Sequence, residues 1–341
     1  LVPREFCSGL GEISRRDTMT HILLTGGTGF LGGYLVRELL ARGYCIHALV
    51  RDPSKCPEGC QALQGDVTQG MLGIDHDHGY GFEELWNAAG VTDLSKKARK
   101  ATLEVNTGGV RNLIDYALTH GVKRIVHIST AYADSQRNPY EVSKWWGDRY
   151  LEEISIANKL RPVLPVVVLK PSILVAEWES GAIADGKLGA FYEFVRRLLR
   201  VHAKLERMRK AVEGRLHLHP WDFRFRIRGD PEATLNLIPV DIAAREMVRT
   251  AEKHETGTFY ITNPEPPKLA DLAEWVGEVV RLQLSFDMNA VLYPLELAFN
   301  KVIEDFAPYL KGEPVWQSAL DFPVPVDRYY IRRTLAYLLG K

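Results

Sequence analysis

The 341-residue sequence has no excess of charge of either sign and few cysteines. Its 43 Lys and Arg residues balance 43 Asp and Glu residues, so no overall field directs the chain towards nucleic acid. Four cysteines are too few for a disulfide-stapled secreted domain and fit a reducing compartment. The sequence also lacks an apolar run of bilayer-spanning length, a secretory signal and an internal repeat. These absences favour a globular, cytoplasmic protein with no transmembrane segment and no nucleic-acid partner.

Two segments are set aside at the outset. Residues 1–18 begin Leu-Val-Pro-Arg and show no periodicity, so we interpret them as an expression remnant. Cys56 and Cys60 flank a short loop, and His76 and His78 follow in the next polar loop. Their spacing does not match that of metal-binding pairs, so we predict solvent-facing loops and no metal site.

The most informative segment is a glycine-rich turn that follows an apolar run at 21–24 and precedes a predicted helix at 30–42. Glycines at such a turn permit a tight backbone and close approach to a phosphate. The N-terminus of the helix offers free N–H groups and the positive end of its dipole. The turn therefore predicts a dinucleotide site, whose candidate contacts are Gly26, Thr28, Gly29, Phe30, Leu31 and Gly32.

Strand and helix patterns alternate as far as about residue 175, where the alternation ends. This alternation predicts an α/β fold, a Rossmann-like doubly wound parallel sheet. Strands are predicted at 21–24, 45–50, 61–64, 84–88, 125–129, 163–169 and 257–262.

The end of the alternation also suggests how the chain divides. The later strand at 257–262 implies that the chain returns to the main sheet after leaving it. We predict an NADP-binding domain formed by 19–175 together with about 236–262. We also predict a smaller, mostly helical substrate-binding domain formed by 176–235 together with 263–341.

The end of the second predicted strand indicates which dinucleotide binds. NAD sites usually place a carboxylate there for the ribose 2′-hydroxyl, whereas a 2′-phosphate needs a cation. Arg51 ends the strand and Lys55 follows, so the sequence favours NADP(H). The alternative is that Asp52 reaches the ribose and Arg51 is a surface residue. Further candidate contacts are Asp66 and Val67 near the adenine, and Asn87, Ala88 and Ala89 where the fourth strand passes the cofactor.

The candidate catalytic pair is Tyr140 and Lys144, whose spacing puts both side chains on one face of a predicted helix. A neighbouring ammonium and a cationic nicotinamide both lower the pKa of a phenol, which suits it to exchange a proton with a carbonyl oxygen. Lys144 also suits a contact with the nicotinamide ribose. We expect a second donor to that oxygen from Ser129 or Thr130, at the end of the fifth strand.

Together these segments resemble the extended short-chain dehydrogenase/reductase superfamily, over nearly the whole chain after Met19. The resemblance implies that Asn106 assists a proton-relay water and that Thr130 or Ser129 hydrogen-bonds the reacting oxygen. It also implies that Pro171 and Ser172 line the nicotinamide. Two features depart from the superfamily's pattern. Lys170 stands where an arginine is more usual, and the short stretch 130–140 implies an open substrate entrance.

Three segments, 65–74, 128–132 and 229–241, resemble the thioester reductase and fatty acyl-CoA reductase (male-sterility-type) branch. The resemblance implies NADPH-dependent reduction of acyl thioesters, bound to coenzyme A or to an acyl carrier protein, to aldehydes and in some members to alcohols. On this interpretation Tyr140 and Thr130 stabilise the oxyanion and the thiol departs, so no cysteine acyl-enzyme is needed.

A basic helix is predicted at about 187–214, and nine Lys and Arg residues face three Glu residues between Lys187 and Arg215. This face could meet the phosphates of coenzyme A, an acidic carrier protein or anionic lipid headgroups, or be merely solvated. Other functions also stay open. They are reduction of a ketone or aldehyde, nucleotide-sugar epimerisation or dehydration, and NADP sensing without turnover.

Overall fold

The computed structural model describes residues 19–74, 81–160, 164–183, 189–212 and 224–339. Within these ranges the strands are β1 (His21–Thr25), β2 (Cys45–Val50), β3 (Gln61–Gln64), β4 (Glu84–Asn87), β5 (Arg124–Ile128), β6 (Val166–Pro171), β7 (Ile173–Val175), β8 (Arg224–Ile227), β9 (Leu237–Pro239), β10 (Gly257–Ile261) and β11 (Gln283–Phe286). Seven of them form one parallel sheet in the order β3-β2-β1-β4-β5-β6-β10. This order is that of a Rossmann sheet with one added strand.

The helices in the same ranges are α1 (Phe30–Ala41), α2 (Arg99–Thr102), α3 (Gly109–Thr119), α4 (Pro139–Leu160), α5 (Ala190–Val212), α6 (Val240–Lys253), α7 (Leu269–Val280), α8 (Pro294–Val302) and α9 (Arg328–Leu338). A π-helical segment, Leu103–Gly108, joins α2 to α3. A 3₁₀ segment, Glu304–Leu310, follows α8.

The sheet is covered on both faces, as its strand pattern requires. Successive residues of β1 alternate between two cores: Ile22 and Leu24 belong to one, with Leu35 of α1, and Leu23 belongs to the other, with Leu113 of α3. A strand with both faces buried has a continuous apolar sequence, and residues 22–24 of β1 have this pattern. The predicted α/β doubly wound fold is confirmed.

The C-terminal part of the chain differs in detail from the prediction. It returns to the main sheet through β10, which pairs with β6, whereas β9 pairs with β7 in a separate two-stranded sheet. Alternating apolar and basic residues at 221–228 indicate a further strand. In the structure this strand begins at Arg224, and 221–223 lie outside the described residues. That strand pairs in parallel with β11, which the pattern did not predict.

Residues 1–18 and the histidines at 76 and 78 also lie outside the described residues. Along the parts of the chain that are described, no helix has the length and apolar character needed to cross a membrane.

Candidate active site

The glycine turn after β1 is packed tightly against the end of β4. Gly26 has a φ of +74°, and a Cβ there would come within 2.5 Å of the backbone of Ala88 and Ala89. A Cβ at Gly32 would overlap the carbonyl oxygen of Gly26, which already accepts a 2.8 Å hydrogen bond from the Gly29 amide. Only glycine fits at these positions. The amides of Phe30, Leu31 and Gly32 are in the first turn of α1, where the N–H groups have no partner within the helix.

The end of β2 carries a cation that has no partner among the described residues and a carboxylate that is already engaged. Arg51 is exposed, and among the described residues it makes no hydrogen bond or ion pair. Asp52 Oδ1 accepts from the Ser54 amide (3.1 Å) and hydroxyl (2.7 Å), which lowers the pKa of Asp52. Lys55 Nζ lies 3.7 Å from Asp52 Oδ2.

The Gly65–Asp66 turn beyond β3 is likewise well defined. Asp66 Oδ1 accepts hydrogen bonds from the amide and the hydroxyl of Thr68, both at 2.9 Å. The carbonyl of Val67 accepts from Asn112 Nδ2 at 2.8 Å, which ties this turn to α3. Asp66 and Val67 follow β3, which pairs with β2, so both residues lie at the carboxyl edge of the sheet next to the end of β2.

The predicted catalytic residues meet where β5 ends and α4 begins. Thr130 donates a side-chain hydrogen bond that engages the Tyr140 hydroxyl, and Lys144 Nζ donates to the Ile128 carbonyl at 2.9 Å. Ser129 Oγ instead donates to Asp148 Oδ2 at 2.9 Å. Of the two hydroxyls considered from the sequence, only that of Thr130 contacts Tyr140.

Burial sets the protonation of this pair. It raises the pKa of the Tyr140 phenol, with a smaller opposing effect from the Thr130 hydrogen bond, so Tyr140 carries its proton. The lowering of the Tyr140 pKa that we expected from Lys144 is not found in this state. Burial also lowers the pKa of Lys144 to about 8, against the opposing effect of the Asp148 carboxylate.

Asn106 lies in the π-helical segment and is buried. Its Oδ1 accepts from the Val91 amide at 2.8 Å, and its Nδ2 donates to the Val91 carbonyl and to Ser143 Oγ, both at 2.9 Å. The Asn106 amide therefore fixes the loop after β4 to α4. π-Helical turns often occur at functional sites.

A buried polar network behind Lys144 was not predicted. Asp148 Oδ2 accepts from Lys170 Nζ at 2.9 Å as well as from Ser129. Burial raises the pKa of Asp148, although Lys170 and Ser129 oppose the change. His127 Nε2 lies 3.8 Å from Asp148 Oδ1, and burial lowers the pKa of His127 well below its usual value.

The network continues to the cofactor turn through Asn87. Thr25 Oγ1 donates to Asn87 Oδ1 at 2.6 Å and accepts from the Ala89 amide at 3.2 Å. This contact orients the Asn87 amide so that Nδ2 donates to His127 Nδ1 at 3.0 Å. A continuous path of buried side chains thus connects the loop after β4 with α4. The Asn87 side chain is committed to this path.

A cavity of about 840 Å³ opens at this edge of the sheet. The predicted residues that line it are Gly29, Phe30, Leu31, Gly32, Ala88, Ser129, Thr130, Tyr140, Lys144, Pro171 and Ser172. Those that do not line it are Gly26, Thr28, Arg51, Lys55, Asp66, Val67, Asn87, Ala89 and Asn106.

Away from Tyr140 the cavity wall is largely apolar. It is built from α5, α7, β8, β11 and the segment Glu304–Leu310, and includes Phe191, Phe194, Leu272, Val276, Phe286 and Leu310. These residues come from 176–235 and 263–341, the two segments predicted from the sequence to form a substrate-binding domain. Charged side chains at the α5 side of the wall are Glu193, Arg197 and Asp305.

Four cations follow directly on the lining residues Thr92–Ser95. Lys96, Lys97, Arg99 and Lys100 are exposed, and none of them forms an ion pair with a described residue. No sequence pattern predicted a role for these four residues. A run of four exposed cations beside a cavity is a favourable place for a polyanion.

Two features of the cavity suit a dinucleotide: the tight glycine turn and an unpaired buried hydroxyl among the described residues. The glycine turn forms a cradle that any Cβ would fill, and the buried hydroxyl of Ser172 lines the cavity without a hydrogen-bond partner in the described structure. A hydroxyl in that condition is ready to bond a ligand amide or hydroxyl.

A second set of polar side chains lies at the opposite edge of the sheet. His21, Cys45 and His47, at the starts of β1 and β2, bring metal-type donor atoms within 4.8 Å of one another. His21 Nδ1 and His47 Nε2 are 3.1 Å apart, the separation of an ordinary hydrogen bond. The trio is remote from the cavity.

Comparison with known sequences gives one family match and several relatives. The model of the NAD dependent epimerase/dehydratase family matches residues 22–199, just over half of the chain. The 3 beta-hydroxysteroid dehydrogenase/Delta 5→4-isomerase of Mycobacterium tuberculosis is 30% identical over 221 residues, which are 60% of this chain and 58% of that protein. The chain spans little more than half the length of the first curated relatives that it matches.

Two solved structures share the fold at low sequence identity. A thiolation-reductase di-domain from an archaeal non-ribosomal peptide synthetase has a TM-score of 0.73 at 16% identity, covering 94% of this chain and 75% of that one. UDP-glucose 4-epimerase from Thermotoga maritima, solved with UDP-glucose, has a TM-score of 0.62 at 16% identity, covering 94% and 99%. At these identities the likeness shows the fold alone.

Proposed function

Because the chain belongs to the NAD dependent epimerase/dehydratase family, we propose that it is an NADPH-dependent reductase that converts acyl thioesters to aldehydes, with further reduction to the alcohol as an optional second step. The observation that carries the proposal is the apolar cavity that opens directly at Tyr140. A long acyl chain fills such a space, whereas a nucleotide sugar needs more polar partners than a largely apolar wall offers.

The glycine turn and the strand ends would hold the dinucleotide. The first-turn backbone amides of α1, from Phe30 to Gly32, suit the pyrophosphate. Asp66 and Val67 suit the adenine side, and Lys144, Pro171 and Ser172 suit the nicotinamide half. Arg51 favours NADPH over NADH, because its guanidinium is unpaired among the described residues whereas Asp52 is engaged by Ser54.

The acid chemistry belongs to Tyr140 and Thr130. When bound, the reduced dinucleotide supplies a hydride to the carbonyl carbon. Tyr140, protonated because burial raises its pKa, donates a hydrogen bond to the oxygen on which negative charge develops. The Thr130 hydroxyl donates to the Tyr140 oxygen and so stabilises the negative charge that Tyr140 acquires as it gives up its proton. The adduct then expels the thiol and leaves an aldehyde. Lys144, with its positive charge, stabilises the phenolate that forms if Tyr140 gives up its proton.

The three described cysteines, Cys45, Cys56 and Cys60, do not suit a covalent alternative, because none of them lines the cavity. Burial raises the pKa of Cys60 to about 12 and also raises that of Cys56, and neither residue lines the cavity. A thiol with a raised pKa is a poor nucleophile at neutral pH. We therefore assign the reaction to direct hydride addition without an acyl-enzyme.

Four exposed cations beside the cavity support coenzyme A or a carrier protein as the carrier of the substrate. Lys96, Lys97, Arg99 and Lys100 follow the cavity-lining loop and suit the phosphates of coenzyme A or of a carrier-bound phosphopantetheine. In this proposal 176–235 and 263–341 form the substrate-binding unit. A thiolation domain accompanies the reductase in one structural neighbour, which supports a carrier-bound substrate.

A second candidate is oxidoreduction of a bulky apolar ketone or alcohol. The same cavity accommodates a carbocyclic skeleton, and one relative is named for a hydroxysteroid. Epimerisation of a nucleotide sugar is less well supported by an apolar wall. Sensing of NADP without turnover leaves the Tyr140–Thr130 contact without a role.

A substrate screen distinguishes these functions. We expect NADPH oxidation, followed by absorbance, with octanoyl-CoA or dodecanoyl-CoA, and none with UDP-glucose. Turnover with a steroid ketone but no thioester would replace the proposal by the second candidate. Turnover with neither class, despite measured NADPH binding, would contradict both.

A further inference from the structure

The described part of α5 presents a basic stripe to solvent. Its exposed side chains are Arg196, Arg200, Ala203, Lys204 and Arg207. Their spacing keeps them along one side of the helix. Arg196 lies 3.6 Å from Glu193, but Arg200, Lys204 and Arg207 form no ion pair with a described residue. Among the described residues the stripe is therefore positively charged, and three of its four cations have no acidic partner.

The neighbouring helix α8 presents an apolar face. Its exposed side chains are Pro294, Leu297, Ala298, Lys301 and Val302. Val291 and Tyr293 precede them and are also exposed, at 85% and 69%. The helix's acidic residue, Glu296, is buried and binds Arg226. Exposed apolar residues in one stripe, with a single lysine and no carboxylate, are unusual on a freely solvated helix.

The two stripes adjoin, and the cavity wall lies beneath them. Arg197 Nη1 of α5 donates to the Val302 carbonyl at 2.6 Å, and its guanidinium lies 4.9 Å from the Phe306 ring centroid. Arg197, Phe194 and Phe306 all line the cavity. The surface formed by α5 and α8 is thus the outer side of the wall that encloses the apolar part of the substrate space.

From this arrangement we infer that the α5–α8 surface docks on an anionic lipid bilayer. Basic residues attract anionic headgroups, and the apolar stripe of α8 enters the boundary between headgroups and acyl chains. Charge complementarity alone would also suit an acidic protein. The exposed Val291, Leu297 and Val302 add an apolar component, which a bilayer accommodates without a matching pocket.

Docking in this orientation would bring the cavity wall of α5 and Glu304–Leu310 next to the membrane. An apolar substrate would then pass from the bilayer to the cavity without crossing water. None of the exposed residues of this surface lines the cavity that contains the glycine turn and Tyr140, so membrane binding and NADPH binding are compatible on one chain.

Vesicle sedimentation of the full chain tests this inference without any turnover, so its failure is distinguishable from failure of the proposed function. We expect the protein to sediment with vesicles of phosphatidylcholine and phosphatidylglycerol, and far less with phosphatidylcholine alone. The double variant Arg200→Glu with Lys204→Glu should weaken binding by roughly 30-fold, since each basic residue near an anionic surface contributes about a fivefold factor.

Two matched controls separate this surface from general charge and hydrophobicity. Arg249→Glu with Lys253→Glu changes two exposed residues of α6 at the same spacing and should leave binding unchanged. Leu297→Asp should weaken the binding that survives high salt, whereas Val315→Asp, at a fully exposed position elsewhere, should not. Circular dichroism would verify that each variant is folded.

Three results would overturn the inference. The first is no preference for anionic vesicles. The second is an equal loss of vesicle binding in the α5 and α6 variants. The same conclusion follows if high salt abolishes vesicle binding and the Leu297→Asp variant binds as the unaltered chain does. The third is a loss, in the α5 variant, of turnover with a carrier-protein thioester while sedimentation is unchanged, which would identify the surface as a protein-docking site.

Discussion

At the scale of single residues, burial rather than a nearby charge controls the candidate acid. Tyr140 and Lys144 are both held in a poorly solvated position, which favours the neutral form of each. The neutral phenol is the form that a reductase needs at the start of its reaction. Asp148, one helical turn beyond Lys144, is the group that opposes the loss of the lysine's charge.

This balance predicts a pH dependence. Lys144, with a pKa of about 8, is charged below that pH and loses its charge above it, so kcat/KM for reduction should fall as the pH rises through about 8. Asp148→Asn removes the carboxylate that raises the Lys144 pKa, and the fall should move to lower pH. Rate profiles with an acyl-CoA would measure the shift. An unmoved profile, or a move to higher pH, would contradict this role for Asp148.

Arg51 predicts the choice of cofactor. Replacing it by Ala should weaken NADPH binding about tenfold to a hundredfold, because a charge-assisted hydrogen bond contributes about 1.5–3 kcal/mol. NADH binding should change little. Lys55→Ala is the matched control, since Lys55 is already close to Asp52, and its effect should be smaller. Fluorescence titration would measure both cofactors. Equal losses of NADPH and NADH would refute the phosphate contact.

At the scale of elements, the glycine turn and α1 act as one packed unit. A Cβ at Gly32 overlaps the Gly26 carbonyl, whereas a Cβ at Gly33, the next residue of the same helix, meets nothing within 4 Å. Gly32→Ala should therefore destabilise the protein by about 1–3 kcal/mol and weaken NADPH binding. Gly33→Ala should stabilise it by about 0.5–1 kcal/mol, because alanine is the better helix former.

Denaturant unfolding with and without NADPH measures this pair. Destabilisation by Gly33→Ala equal to that of Gly32→Ala would show that any added methyl group disturbs α1. The close packing of the turn would then not explain its glycine.

The main elements could be predicted because their signals are local. A buried strand such as β2 is an apolar run interrupted only by His47, and α4 has helical spacing. The strands β7 and β9, each of three residues, are too short to show a period. The strand β11 exists through its pairing with the distant β8, and a π-helical segment has nearly the residue spacing of an α-helix.

The same limit applies within the site. The glycine turn, Tyr140 and Lys144 were predictable because spacing along one element defines them. The network of His127, Asp148 and Lys170 was not, because β5, α4 and β6 bring those residues together only in the fold. One signal was available: Asp148 follows Lys144 by four residues and so shares its helix face.

At the scale of the whole molecule, the cavity is shared between the sheet and the C-terminal elements. Ala273 of α7 is buried and lines it, whereas Ala270 of the same helix is exposed. Ala273→Phe should fill part of the apolar space and lower kcat/KM for dodecanoyl-CoA by about tenfold, while butanoyl-CoA is little affected. Ala270→Phe should change neither. Equal losses for both chain lengths would mean that the acyl chain lies elsewhere.

The central claim is that Tyr140 donates to the oxygen of an acyl thioester while NADPH is consumed. The most direct measurement is NADPH oxidation with dodecanoyl-CoA by the unaltered chain and by Tyr140→Phe, with NADPH binding verified for both. We predict turnover by the unaltered chain and a loss of at least about a hundredfold in the variant, the range expected for a general acid. Turnover that survives the loss of the hydroxyl, or no oxidation by an unaltered chain that binds NADPH, would contradict the account.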